Sequence, residues 1–470
     1  MKHNSIFLTL VFLSLQYAQG QLQAVKQWSA IYDGPGHGVD IPTASLLDKH
    51  GNFYVTGRSS GETSGQDMAT IRYSPSGQEI LMLRYDSPVK SWDEANSLAV
   101  DDSGFIYVAG TSLVANSRTR IVLFKYTPSG TLAWQAQFPR DTVNGATTRK
   151  VFLDFFGNIY VGGTFNQRML VLKYTTQGYL VDSITIGDDS TAHTLTDLLV
   201  TNKGEIYLAG ARSYWAGGDL PTVECALVKM DTAGNQQWKK YLNAGVARSV
   251  RSDENGNLIL ITQEDGTTAK YSPDGQLLWF RNSQNSNPSI MILTGLAIDA
   301  HNRIIVSGFG CDVGCFDYML IKYDDDGNVL WYQSYNSPDT LRDFCNAMAL
   351  DNSENIYLTG KSAAGYSDGK CVTLKYDSSG KMIWQTAFSI APTSIDEGKF
   401  IAVDDSGCVY IGGSSIASNG LDYLAIKYRQ DFGTAVPEPL ITTGSNCTLV
   451  QNYPNPLNPT TTIGYSIELY

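Results

Sequence analysis

The sequence predicts an all-β fold: an eight-bladed β-propeller of four-stranded antiparallel blades, with the last blade closed by an N-terminal strand. Three observations predict it. A block of four short β-rich runs recurs eight times between Trp28 and Tyr428. Glycine and tyrosine are abundant (44 and 27 residues) and charged residues make up only 17%, a composition suited to tight turns between half-buried strands. One strand of the pattern stands unaccompanied before the first block, and one is missing after the last.

The block is clearest from Leu98 to Phe138, where LAV, FIYVAG, RIVLFKY and LAWQAQF are joined through the turns DDSG and TPSG. Asp, Ser or Thr opening a turn and Gly at its fourth position suit a type I turn whose last residue needs positive φ. Runs of this length so punctuated read as a meander. The first turn recurs at Asp48, Asp101, Asp154, Thr201, Asp253, Asp299, Asp351 and Asp404. Six residues on stands Tyr54, Tyr107, Tyr160, Tyr207, Ile259, Ile305, Tyr357 or Tyr410. The third run carries a cation in every copy: Arg72, Lys125, Lys173, Lys229, Lys270, Lys322, Lys375 and Lys427. The fourth places Trp134, Trp238, Trp279, Trp331 and Trp384, with Leu81 and Asp182 in copies one and three.

Copy eight has no fourth run, because after Tyr428 the chain turns to RQDFGTAVPEPL. Trp28 lies twenty residues before Asp48, the same interval as Trp134 to Asp154. QWSAIY is therefore expected to complete the last blade and protect its edge. The expected organisation is a signal peptide at 1–20, the propeller at 21–428, a linker at 429–446 and a further segment at 447–470.

Lys2 and His3, the apolar run Ile6–Leu15 and the small residues of Ala18-Gln19-Gly20 form the signal peptide, with cleavage expected before Gln21. A secreted or cell-surface location follows. Net charge is −12, which repels phosphate backbones and makes nucleic acid an unsuitable partner. No apolar run reaches membrane-spanning length. Seven cysteines in an exported chain leave at least one thiol unpaired. Cys311 and Cys315 suit a local disulfide or loop packing better than zinc, since no second pair accompanies them.

The pattern D-x-x-G-N-x-Y-V-x-G followed by K-Y-x-x-x-G-x-x-x-W resembles the bacterial β-propeller repeat family called SBBP. The resemblance spans Trp28 to Tyr428 and implies a propeller; the count of eight exceeds by one the seven in the family's name. The tail Y-P-N-P-L-N-P-T-T-T-I, within Cys447–Tyr470, resembles the opening of the C-terminal sorting domain of type IX secretion. That resemblance implies the secretion machinery as a partner. The G-x-x-x-W spacing also resembles the docking motif of quinoprotein dehydrogenases, whose tryptophans are mainly structural.

Local motifs offer little chemistry. Gly57-Arg58-Ser59-Ser60-Gly61 has the G-x-S-x-G form, but no helix follows as a nucleophile elbow requires. Asp324-Asp325-Asp326-Gly327-Asn328 lacks the alternating ligands of a calcium loop and fits a hairpin. Two features remain. Asp40, Asp93, Asp343 and Asp396 stand eight residues before the turn aspartates, at the start of the innermost strands of copies one, two, seven and eight. A half-ring of carboxylates at the channel mouth would hold a cation such as Ca2+; the alternative is capping of local amides. The second feature is a step in loop length. From the end of strand two to the cation, copy four takes 19 residues, while copies three and five take 10 and 8. The long loop carries Tyr214, Trp215 and Asp219. It either walls a binding depression or folds over its shortened neighbours.

The expected function is an exported, non-enzymatic propeller binding a protein or glycan through its loop face. The alternative is a propeller enzyme, quinoprotein-like or a carbohydrate-active lyase or hydrolase, using the channel-mouth carboxylates. Fold alone does not choose between them.

Overall fold

The computed structural model describes residues 22–432, apart from 115–117, 140–144, 189, 218–219, 284–288, 312–315, 339–341, 366–367 and 417–419, together with 447–449 and 465–467. The chain divides into two units, Leu22–Asp431 and a smaller one joining Met1–Gln21 to Phe432–Tyr470. Apart from Phe432, the described residues of the smaller unit form an antiparallel pair, Cys447–Leu449 with Tyr465–Ile467. The signal peptide expected at 1–20 and the Y-P-N-P-L-N-P run lie outside the described residues.

The larger unit is the propeller. In blade two, strands Asp93–Val100, Ile106–Val114, Arg118–Tyr126 and Leu132–Phe138 pair antiparallel in sequence order. Blades one and three to seven repeat that order, and a parallel pair, Phe316 with Arg342, links blades six and seven. Blade eight is composite: Ile395–Val403, Val409–Ile416 and Asp422–Phe432 are completed by Leu22–Tyr32. Its third strand runs past Tyr428 because an 11-residue N-terminal partner lies alongside. The first strand of each blade touches that of the next, including blade eight to blade one, so the ring closes.

The turn aspartate explains the repeat. Asp101 Oδ1 accepts the amides of Ser103 and Phe105, both at 2.9 Å, and Oδ2 accepts the Tyr107 hydroxyl at 3.0 Å. Gly104 closes the turn at φ +82°, the left-handed region a side chain resists. Copies six and seven place Asn302 and Glu354 there, at φ +57° and +60°.

Six of the eight blades dock onto the next through a fourth-strand tryptophan, with Leu81 and Asp182 at that position in blades one and three. Trp134 Nε1 donates to the Thr176 carbonyl of blade three at 3.1 Å, and Trp28 to Pro75 of blade one at 3.1 Å. The cations are structural partners: Lys322 pairs with Asp299 at 2.8 Å and Lys270 with Asp253 at 3.0 Å. Apolar packing spans the joints, as where Tyr54 and Met68 of blade one meet Val108 and Phe124 of blade two.

Alternation of turns places the strand-two-to-three loops and the blade connections on one face. That face carries the described candidate binding residues.

Candidate functional site

The long loop of blade four ends the strand Ile206–Tyr214. Beside it blade three turns in two residues, Asn166 and Gln167, between the paired Phe165 and Arg168. Both turn residues take positive φ, +50° and +59°, as a tight hairpin requires. The height difference leaves a trough of about 450 Å³ between the blades, lined by Asn166, Gln167, Asp188, Thr191, Tyr214 and Trp215. The two aromatics differ in state. Trp215 is 70% exposed. Tyr214 is half-buried, with its hydroxyl 3.4 Å from Glu224 Oε1 and the Arg212 guanidinium 4.5 Å from its ring centre. Asp219 lies outside the described residues.

The trough floor is polar. Asp188 accepts hydrogen bonds from the Ser190 hydroxyl at 2.7 Å and the Thr191 hydroxyl at 2.9 Å. These donors hold its carboxyl down at about 2, so it stays anionic. Below stands His193, fully buried, with Nε2 3.0 Å from the Tyr241 hydroxyl; burial lowers its pKa. A cleft of similar size, about 490 Å³, opens at Gln135, Phe138 and Tyr174, but no charged side chain lines it.

Asp40, Asp93, Asp343 and Asp396 occupy the expected strand starts and are fully buried. Each accepts the amide six residues upstream: Gly34 at 2.6 Å, Ser87 at 2.8 Å, Ser337 at 2.8 Å and Ile390 at 3.0 Å. Among the described residues, no carboxylate cluster contains two of them; Asp40 meets Asp33 and Asp422, and Asp93 meets Asp67 and Asp86. Burial, with the charges of Asp33 and Asp40, pushes Asp422 up to about 6.

Two motifs set aside in the sequence have structural roles. Ser59 is buried and accepts from Arg84 Nη1 at 3.0 Å. Asp324 Oδ1 accepts the amides of its own hairpin, Asp326 at 3.0 Å and Asn328 at 2.8 Å. Burial pushes the thiols of Cys225, Cys345 and Cys371 up to about 12, and Cys315 lies outside the described residues. Sequence reasoning missed Asp188 and the Asn166–Gln167 turn. The turn had a signal, a polar dipeptide closing the shortened loop; Asp188, within a connection, had none.

Residues 93–116 match the SBBP β-propeller repeat. No curated protein sequence matches the chain. Among solved structures, Chaetomium thermophilum Sqt1 bound to the N-terminus of ribosomal protein L10 aligns with TM-score 0.55 at 10% identity, covering 88% of this chain and all (100%) of that one. The C-terminal WD40 domain of Sif2 aligns with TM-score 0.54 at 10% identity, covering 86% and 97%. The Dos1 propeller gives 0.53 at 8%, covering 87% and 95%. At these identities the likeness is one of fold.

Proposed function

We propose that this protein is an exported, non-catalytic propeller whose loop face binds a glycan in the trough between blades three and four. One observation carries the reading: Trp215 stands 70% exposed over a polar depression. A sugar offers an apolar C–H face to an indole and hydroxyls to its surroundings. Trp215 supplies the ring, Asp188 an anionic acceptor, and Asn166 and Gln167 amide groups. The buried carboxylates at Asp40, Asp93, Asp343 and Asp396 favour binding over acid–base catalysis, because at least one oxygen of each already accepts a backbone amide. Export rests on the charged and apolar pattern of residues 1–20.

A protein partner is the second reading. Leu220, 80% exposed on the same loop, offers a second apolar side chain, and Sqt1 is bound to the N-terminus of a ribosomal protein. A glycan array followed by titration tests the first reading. Trp215→Ala is expected to weaken binding by about 1–3 kcal/mol, the range for an aromatic anchor, with an unchanged melting curve. Unaltered affinity in that variant would place the ligand elsewhere.

A further inference from the structure

We propose that the joint between blades one and two binds one divalent cation of the calcium class through Asp67, Asp86 and Asp93. The three residues come from different segments. Asp67 lies in the third strand of blade one, Gln66–Tyr73, Asp86 in the connection, and Asp93 at the first residue of blade two. They offer one oxygen each, all within 4.8 Å of one another. Two oxygens on opposite sides of a calcium ion are separated by about that distance, given bonds of about 2.4 Å. The backbone holds the segments in place, with the Gln66 amide donating to the Ser91 carbonyl at 2.8 Å and Gln66 bridging Trp92 in parallel.

The second observation is an oxygen in want of a partner. Asp67 is 3% exposed; its Oδ2 accepts from Arg84 Nε at 2.7 Å and the Ser64 hydroxyl at 2.9 Å, while Oδ1 is buried with no hydrogen bond. A buried carboxylate oxygen without a donor is costly, and a hard cation supplies what the protein does not. Asp93, fully buried beside it, is pushed above the usual carboxylate range by burial and in part by Asp67, although Ser112 and Ser87 donors oppose the shift. Asp86 is exposed, leaving a solvent side through which the ion enters and keeps water ligands.

The joint between blades eight and one carries the same three positions, as Asp33, Asp40 and Asp422. In both, a D-[GS]-P-x-x-x-x-D connection supplies two carboxylates, and the residue five before the strand-three cation supplies the third. There, however, His37 Nδ1 sits 2.7 Å from Asp33, and both oxygens of Asp40 accept amides, Gly34 at 2.6 Å and Ser60 at 2.8 Å. With both Asp40 oxygens already taken up, that cluster serves as a control.

Calcium titration of the full chain after EDTA treatment, by calorimetry and thermal melting, tests the proposal independently of any glycan. The wild type is expected to bind one ion and to melt several degrees higher in millimolar calcium. Asp86→Asn should melt like the wild type in EDTA but bind calcium at least about tenfold more weakly, while Asp422→Asn keeps the full response. No calorimetric binding by the wild type overturns the proposal. So does wild-type affinity in Asp86→Asn, or loss of the response in Asp422→Asn alone.

Discussion

Asp422 shows how a single side chain ties the ring closure to pH. Its carboxyl is desolvated and faces Asp33 and Asp40, with His37 the opposing cation, and so titrates near 6 rather than 3.8. The folded state therefore holds this proton more tightly than the unfolded chain. Its contribution to stability is fully present below the unfolded value of 3.8 and is lost as pH rises through about 6. Asp422→Asn, which removes the repulsion, is expected to melt higher than the wild type at pH about 7.5, with the gap closing by pH about 4. Melts across that range in EDTA check it. His193 works in the opposite sense: buried and neutral, its pKa lies below 6.5, so its contribution is present above that value and is lost as pH falls. The difference between variant and wild type isolates the carboxyl from this background. His193 also shows what composition conceals. It occupies the strand start where four other blades place aspartate, yet makes a hydrogen bond to Tyr241 under the trough.

At the scale of the element, five of the eight joints are locked by an indole over a glycine turn, those of Trp28, Trp134, Trp238, Trp279 and Trp331. A Cβ on Gly178 would lie 2.7 Å from Trp134 Cδ2, and Gly178 already holds φ +85°. Gly178→Ala is therefore expected to cost about 1–3 kcal/mol through strain and overpacking. Gly217→Ala is the matched control. At φ +93° with nothing within 4 Å of its Cβ position, it carries the backbone term alone. Chemical denaturation of the two variants separates ring contact from strain, and equal losses would refute the docking account. The trough of blades three and four arises at this scale too. A two-residue hairpin beside a long loop makes a step wherever neighbouring blades are otherwise level.

At the scale of the molecule, closure is the decisive contact. The strand Leu22–Tyr32 pairs along the third strand of blade eight, and Trp28 reaches Pro75 of blade one. Deleting residues 22–32 exposes a bare strand edge and removes a docking indole. Large destabilisation or aggregation is expected, as a β edge without a partner recruits other chains. An unchanged melting curve in the deletion would sink the shared-blade account. The interior wall adds a second tie. Asp197, 6% exposed, receives Lys150 of blade three at 2.5 Å and Arg251 of blade five at 3.0 Å. These cations hold its carboxyl below the usual range against the cost of burial.

The sequence by itself determined the blade, the number of blades and the closure. Those depend on interactions that recur at fixed spacing: Asp101 with Ser103, Phe105 and Tyr107, Gly104 in its turn, Trp28 at the interval of Trp134. It also located the step that Tyr214 and Trp215 occupy, because loop length is written in the chain. Only the tertiary structure decided which of the two rings is presented to solvent, since that turns on Arg212 and Glu224 reaching Tyr214 from neighbouring strand positions. The carboxylates divide the same way. Asp93 was recognisable as one of four at strand starts, but its true neighbours, Asp67 and Asp86, belong to another blade's strand and to a connection. Proximity across a joint between repeats leaves no spacing in the sequence, because it depends on how one sheet is set against the next.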